Sequence, residues 1–174
     1  MTVLNTSNAK VIRMKYQLLS GMLLGSLLFA TGTWAQDSPL ESSLESYLVV
    51  EEGGEERLMP AEEAGPGDTI EYRLLYTNVS DRTLSGLVVN GPIPDNTRYV
   101  ADTDNASVNA DFTVSAGADD DFQAEPYVRL VTDENGNQQE EVVPPEDYSR
   151  LRWEPAESIA PEQTQTYVYR VKVD

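Results

Sequence analysis

Between Thr69 and Thr77 the side chains alternate in kind. Ile70, Tyr72, Leu74 and Tyr76 fall on one face, and Glu71, Arg73 and Thr77 on the other, with Leu75 the one exception. A period of two fits a strand with one face buried and one face wet. The pattern returns at the end of the chain, where Tyr167, Tyr169, Val171 and Val173 oppose Val168, Arg170 and Lys172. No stretch after residue 35 carries a convincing amphipathic helical period, so the fold is expected to be all-β.

Shorter runs fill in the rest. Tyr47–Val50 is β-rich and ends at the turn Glu51-Glu52-Gly53-Gly54, with Leu58-Met59 as its continuation. Leu84–Val89 is expected as a strand, broken by Gly91-Pro92 and the following Ile93–Asn96, and Thr97–Ala101 resumes it. Val108 and Phe112–Val114 suggest another. Tyr127–Thr132 and Glu140–Val143 flank Asp133-Glu134-Asn135-Gly136-Asn137; an Asn-Gly pair between β-rich runs marks a hairpin, because both residues can take a positive φ. Tyr148–Trp153 is the penultimate strand, and Ser158–Gln163 is a loop. About 8–9 short antiparallel strands at this spacing predict a β-sandwich.

The first 35 residues differ from the rest. They hold Lys10, Arg13 and Lys15, no acid, and an apolar run from Leu18 to Ala30; Thr33 and Ala35 then precede Gln36-Asp37. A basic start, a short apolar centre and small residues at −3 and −1 predict a signal-peptide helix over 1–35, cut after Ala35. The run is shorter than the ~20 residues of a membrane-spanning helix, so no membrane insertion is expected after cleavage. Met14 opens a more compact signal and competes with Met1 as the translation start. Residues 36–46 read as a polar tether, and 47–174 as the folded domain, periplasmic or extracellular.

Charge and missing residue types narrow the function. The chain has 12 basic and 30 acidic residues, net −18, with no His and no Cys. Cleavage after Ala35 removes three bases and no acid, taking the net charge to −21. Nucleic acid and anionic lipid surfaces call for Lys and Arg, so neither is an expected partner. Disulfides, thiolate or imidazole metal ligation, and Ser/His or Cys/His catalysis are excluded by composition. No Cys follows the cut to carry a lipid.

The order of several motifs carries a resemblance. Gly67-Asp68-Thr69-Ile70-Glu71-Tyr72, Tyr76-Thr77-Asn78-Val79-Ser80, Leu87-Val88-Val89 and Pro94-Asp95-Asn96-Thr97-Arg98-Tyr99-Val100 come first, then Leu151-Arg152-Trp153, Ile159-Ala160-Pro161-Glu162 and Tyr167–Val173. Over about residues 44–174 this is similar to the conserved-repeat domain of bacterial surface proteins, known as domain of unknown function eleven. The resemblance implies an immunoglobulin-like sandwich in an exported, often cell-surface protein, with no catalytic residues to carry over. Asn90-Gly91-Pro92 departs from the Asp usual in that family before the bend, and the stretch Asp102–Asp147 is longer than usual.

Candidate sites are few. Asp119-Asp120-Asp121 invites a calcium reading, set against a solvated acidic loop. Asp102-Thr103-Asp104-Asn105 resembles the start of a calcium loop but has Ala106 where an oxygen ligand belongs. Glu51, Glu52, Glu55 and Glu56 read as a solvated surface. Tyr47, Tyr127, Tyr148 and Trp153 could stack on sugar, with Trp153 more at home in a core. Lys172 is the only lysine after the cut and lies on a polar strand face. No catalytic, cofactor or metal residue is assigned. The expectation is a non-catalytic structural or interaction module that binds an envelope or surface protein, with glycan or calcium binding as the alternative.

Overall fold

The computed structural model describes residues 38–117 and 121–174. The signal peptide expected over 1–35, the start at Met14, and Asp119 and Asp120 lie outside the described residues. The described chain forms eleven strands: β1 (Leu40–Glu52), β2 (Glu55–Pro60), β3 (Thr69–Asn78), β4 (Val89–Pro92), β5 (Thr97–Tyr99), β6 (Asn105–Ala106), β7 (Ala110–Ser115), β8 (Val128–Thr132), β9 (Gln138–Val142), β10 (Arg150–Pro155) and β11 (Thr164–Val173). A single 3-10 turn, Pro145–Asp147, precedes β10.

All pairings are antiparallel. The larger sheet runs β2-β1-β3-β11-β5, with β6 also paired to β11; the smaller runs β4-β10-β7, and β8-β9 form a separate hairpin. The two sheets pack as an antiparallel β-sandwich. The last strand, β11, lies inside the larger sheet, between β3 and β5.

The two strongly alternating segments are neighbours. Leu74 lies opposite Tyr167, Tyr72 opposite Tyr169 and Ile70 opposite Val171. Residues opposite one another share a face, so the apolar rows of β3 and β11 merge into one surface. Trp153 of β10 lies against it, 1% exposed, with ring centroids 5.9 Å from both Tyr167 and Tyr169 and 5.1 Å from Phe112. Val89, Val114 and Leu151 complete the small sheet's side of the core. Gly91 explains its own identity: a Cβ there would stand 2.8 Å from the indole of Trp153. The Gly-Pro pair expected to break a strand therefore belongs to β4, with glycine letting the ring approach.

Four expectations need correction. The tether does not extend to residue 46, because Leu40–Ser46 is strand, paired with Tyr72–Asn78 of β3. Of Leu84–Val89 only Val89 is in a strand; Leu84 makes an isolated bridge to Ile159, and Gly86 bends the chain at φ 75°. The extended segment after Asn96 ends at Tyr99 rather than Ala101. In the β8–β9 turn only Gly136 takes a positive φ. Asp133 closes that turn instead, its carboxylate accepting the N–H of Asn135 (2.9 Å) and Asn137 (2.8 Å). These bonds, Asn137 first, hold the Asp133 carboxyl below its ordinary value.

Candidate functional site

The two sheets differ in width. The small sheet has three strands, the large one five across. The buried core draws on β3, β11 and β5 of the large sheet, and neither its buried members nor the half-buried side chains packed on it include any residue of β1 or β2. Yet β1 is tied to β3 along ten residue pairs. The outer two strands thus continue the sheet past the edge of the layer that covers it.

Register identifies what this margin displays. Leu44 is opposite Leu74, and Leu48 is opposite both Ile70 and Met59. Leu44, Leu48 and Met59 therefore lie on the core-side face. Leu74 is 7% exposed, while its neighbour Leu44 is 51% and Met59 53% exposed. At the far end of the strip, Leu40 joins Leu84, Leu87, Val88 and Ile159 around a hollow of about 260 Å³. β1 and β2 are acidic: of Glu41, Glu45, Glu51, Glu52, Glu55 and Glu56, only Glu52 and Glu55 share the core-side face with the strip, and Arg57 is the one basic residue. Arg57 is paired with Glu52 at 2.8 Å.

The opposite face of the same sheet is charged and better satisfied. Glu71, expected on a wet face, is buried at 5% exposure. Arg73 donates from Nε and Nη2 to its Oε1 (2.9 and 2.8 Å), and Arg170 from Nε to its Oε2 (3.0 Å). Arg170 also reaches Glu56 of β2 at 2.9 Å. Alternation was right about the face; the two guanidinium groups themselves exclude water from it. A depression of about 520 Å³ sits above this network, walled by Asp102, Thr103, Asp104 and Asn105. The loop is anchored there by Thr103, whose Oγ1 accepts the Arg170 N–H at 3.0 Å.

The remaining sequence candidates separate cleanly. Trp153, Tyr127 and Tyr148 are buried, at 1%, 6% and 4% exposure, and Tyr148 stacks on Tyr99 with centroids 6.0 Å apart. They are unavailable to sugar. Tyr47 is half-buried beneath the Arg73 guanidinium, 5.0 Å from its ring centroid, and its hydroxyl donates to Glu45 at 2.8 Å. Of the Asp119–Asp121 loop only Asp121 is described; it accepts from the Tyr127 hydroxyl at 2.9 Å. Among the described residues no three or more Asp or Glu stand together so as to hold a metal ion. Glu51 and Glu52 are exposed, as are Glu55 and Lys172. A second exposed apolar pair, Leu130 (65%) and Val142 (60%), lies on the β8–β9 hairpin.

Sequence reading missed the margin. Its signal was Leu40, Leu44 and Leu48 at even spacing, diluted by Ser42 and Ser46 on the same face. Comparison with family models, with curated proteins and with solved structures finds no match.

Proposed function

We propose that this chain is an exported, non-catalytic interaction module of the bacterial envelope or cell surface, of the conserved-repeat kind, acting outside the cytoplasm once its signal segment is removed after Ala35. One observation carries the reading: two leucines and a methionine extend the core face beyond the layer that covers it, with Leu44 and Met59 half-exposed. A partner seated there buries apolar surface already organised by a ladder to β3. Burial at roughly 25 cal/mol per Å² favours such an association. Composition supports the absence of catalysis, since His and Cys are missing. The fold alone does not assign the role.

The test is photo-cross-linking in cells of the tagged chain with the reactive residue at Leu44 or Met59, and at Thr132 on the far hairpin as a control. A discrete heavier product from positions 44 and 59, absent at 132, is expected. Unshifted protein at both margin positions contradicts the reading.

A further inference from the structure

The margin also has a free edge, and its chemistry specifies an occupant. Gly53 and Gly54 join β1 to β2 with φ of 68° and 88°. Both central residues are left-handed, as in the tight two-residue hairpin. In such a hairpin the closing pair, Glu52 and Glu55, exchanges backbone bonds, and bonded and non-bonded pairs alternate from there. Arg57 and Met59 accordingly turn their backbone groups toward β1. Glu56 and Leu58 turn theirs off the sheet, because β2 is its outermost strand. Pro60 ends this edge: it has no N–H, and its carbonyl accepts from Glu62 at 3.0 Å.

From this, and resting on the interaction-module reading, we propose that β2 receives an extended segment of another protein as an added edge strand, a segment whose basic residues face Glu55 and Glu56 and whose apolar residues face Leu58 and Met59. Adding a strand to an exposed edge gives affinity through main-chain bonds and specificity through side chains on both faces. Here Glu56 and Leu58 supply the main-chain bonds. Met59, opposite Leu48, offers an apolar seat on one face, and Leu58 on the other. Glu55 and Glu56 set the sign of the partner: Glu56 already holds Arg170 at 2.9 Å, and Arg57, the next residue, is paired with Glu52. A second copy of this chain fits poorly, because it brings the same glutamates to the ladder along with its own large excess of acidic over basic residues. Charges on an edge strand discourage indiscriminate pairing; these discourage self-pairing while admitting a basic strand.

The probe is a capped peptide, Thr-Val-Val-Thr-Lys-Lys-Thr, titrated into the isotope-labelled exported chain and read by amide NMR shifts. It aligns antiparallel with Val opposite Met59 and Leu58 and Lys opposite Glu56 and Glu55. Shifts centred on the Glu56 and Leu58 amides are expected. Binding should weaken at least tenfold when the peptide lysines become glutamates, and at least tenfold in Leu58→Pro. That substitution removes an outward N–H and leaves the bonds to β1 in place; Met59→Glu is the second variant should Leu58→Pro fail to fold. Shifts centred elsewhere, equal binding of an all-lysine peptide, or no shift at millimolar peptide would each overturn the proposal. The cellular cross-link at Met59 keeps the two failures apart. An adduct there without peptide binding overturns the basic strand alone; absence of both overturns the interaction module as well.

Discussion

Leu74 and Leu44 face each other across one ladder of one sheet, yet Leu74 belongs to the core and Leu44 to the surface. Both strands satisfy their backbone groups in the same way. What separates them is the second layer: Trp153, Leu151, Val89 and Val114 stand over β3 and β11, and the core they form includes nothing from β1 or β2. The pair shows that main-chain pairing places a strand, while the opposing layer decides whether its apolar face stabilises the fold or stays free for a partner.

If that contrast holds, changes under the small sheet are costly and changes at the margin are not. Trp153→Ala should have the largest effect, a loss of ~3–5 kcal/mol in urea unfolding, as expected for truncating a buried aromatic ring. A smaller loss would mean that the sheets are less tightly packed than the ring contacts indicate.

Alkali should attack the same half of the molecule. Burial pushes the Tyr167 phenol up to about 12, from an ordinary value of 10.0. Burial also raises Tyr99 and Tyr169. The folded state holds these protons after the unfolded chain has released its own. Stability is therefore fully present below pH 10 and falls as the pH rises toward 12. Unfolding midpoints between pH 8 and 12, in Tyr167→Phe beside the parent, check this: the variant should lose less stability across that window.

Glu71→Gln tests the charged face, where burial comes from arginines instead of a second sheet. Its carboxylate accepts from both Arg73 and Arg170, and charge-assisted bonds of this type contribute roughly 1.5–3 kcal/mol. A loss near 2 kcal/mol in urea unfolding is expected, below that of Trp153→Ala. No change would mean that water replaces the carboxylate freely.

The same contrast explains what could be read in the sequence. β3 and β11 were legible because one of their faces is covered by the small sheet, so Ile70, Leu74, Tyr167, Tyr169 and Val171 had to be apolar. The segment Leu40–Ser46 passed for a tether because, among the described residues, none of it joins the buried core, and Ser42 and Ser46 are tolerated there. Glu71 was placed on the correct face but judged wet, since its roof comes from Arg73 on its own strand and Arg170, 99 residues along the chain. β4 was hidden by Gly91-Pro92, which signal a break by local propensity; the tertiary need to admit the Trp153 ring prevailed. The edge chemistry of β2 lay in the sequence as Gly53-Gly54, but that it is the outermost strand is a property of the whole sheet.

The most direct test is a pair of truncations on that one ladder. Leu74→Ala and Leu44→Ala are compared by urea unfolding, with the slope checked for constancy. The structure predicts a loss of ~2–5 kcal/mol for Leu74→Ala, in line with buried leucines, and about 1 kcal/mol or less for Leu44→Ala, in line with surface positions. Equal losses would contradict the account, because Leu44 would then lie beneath a covering layer of its own and the margin would offer nothing to a partner.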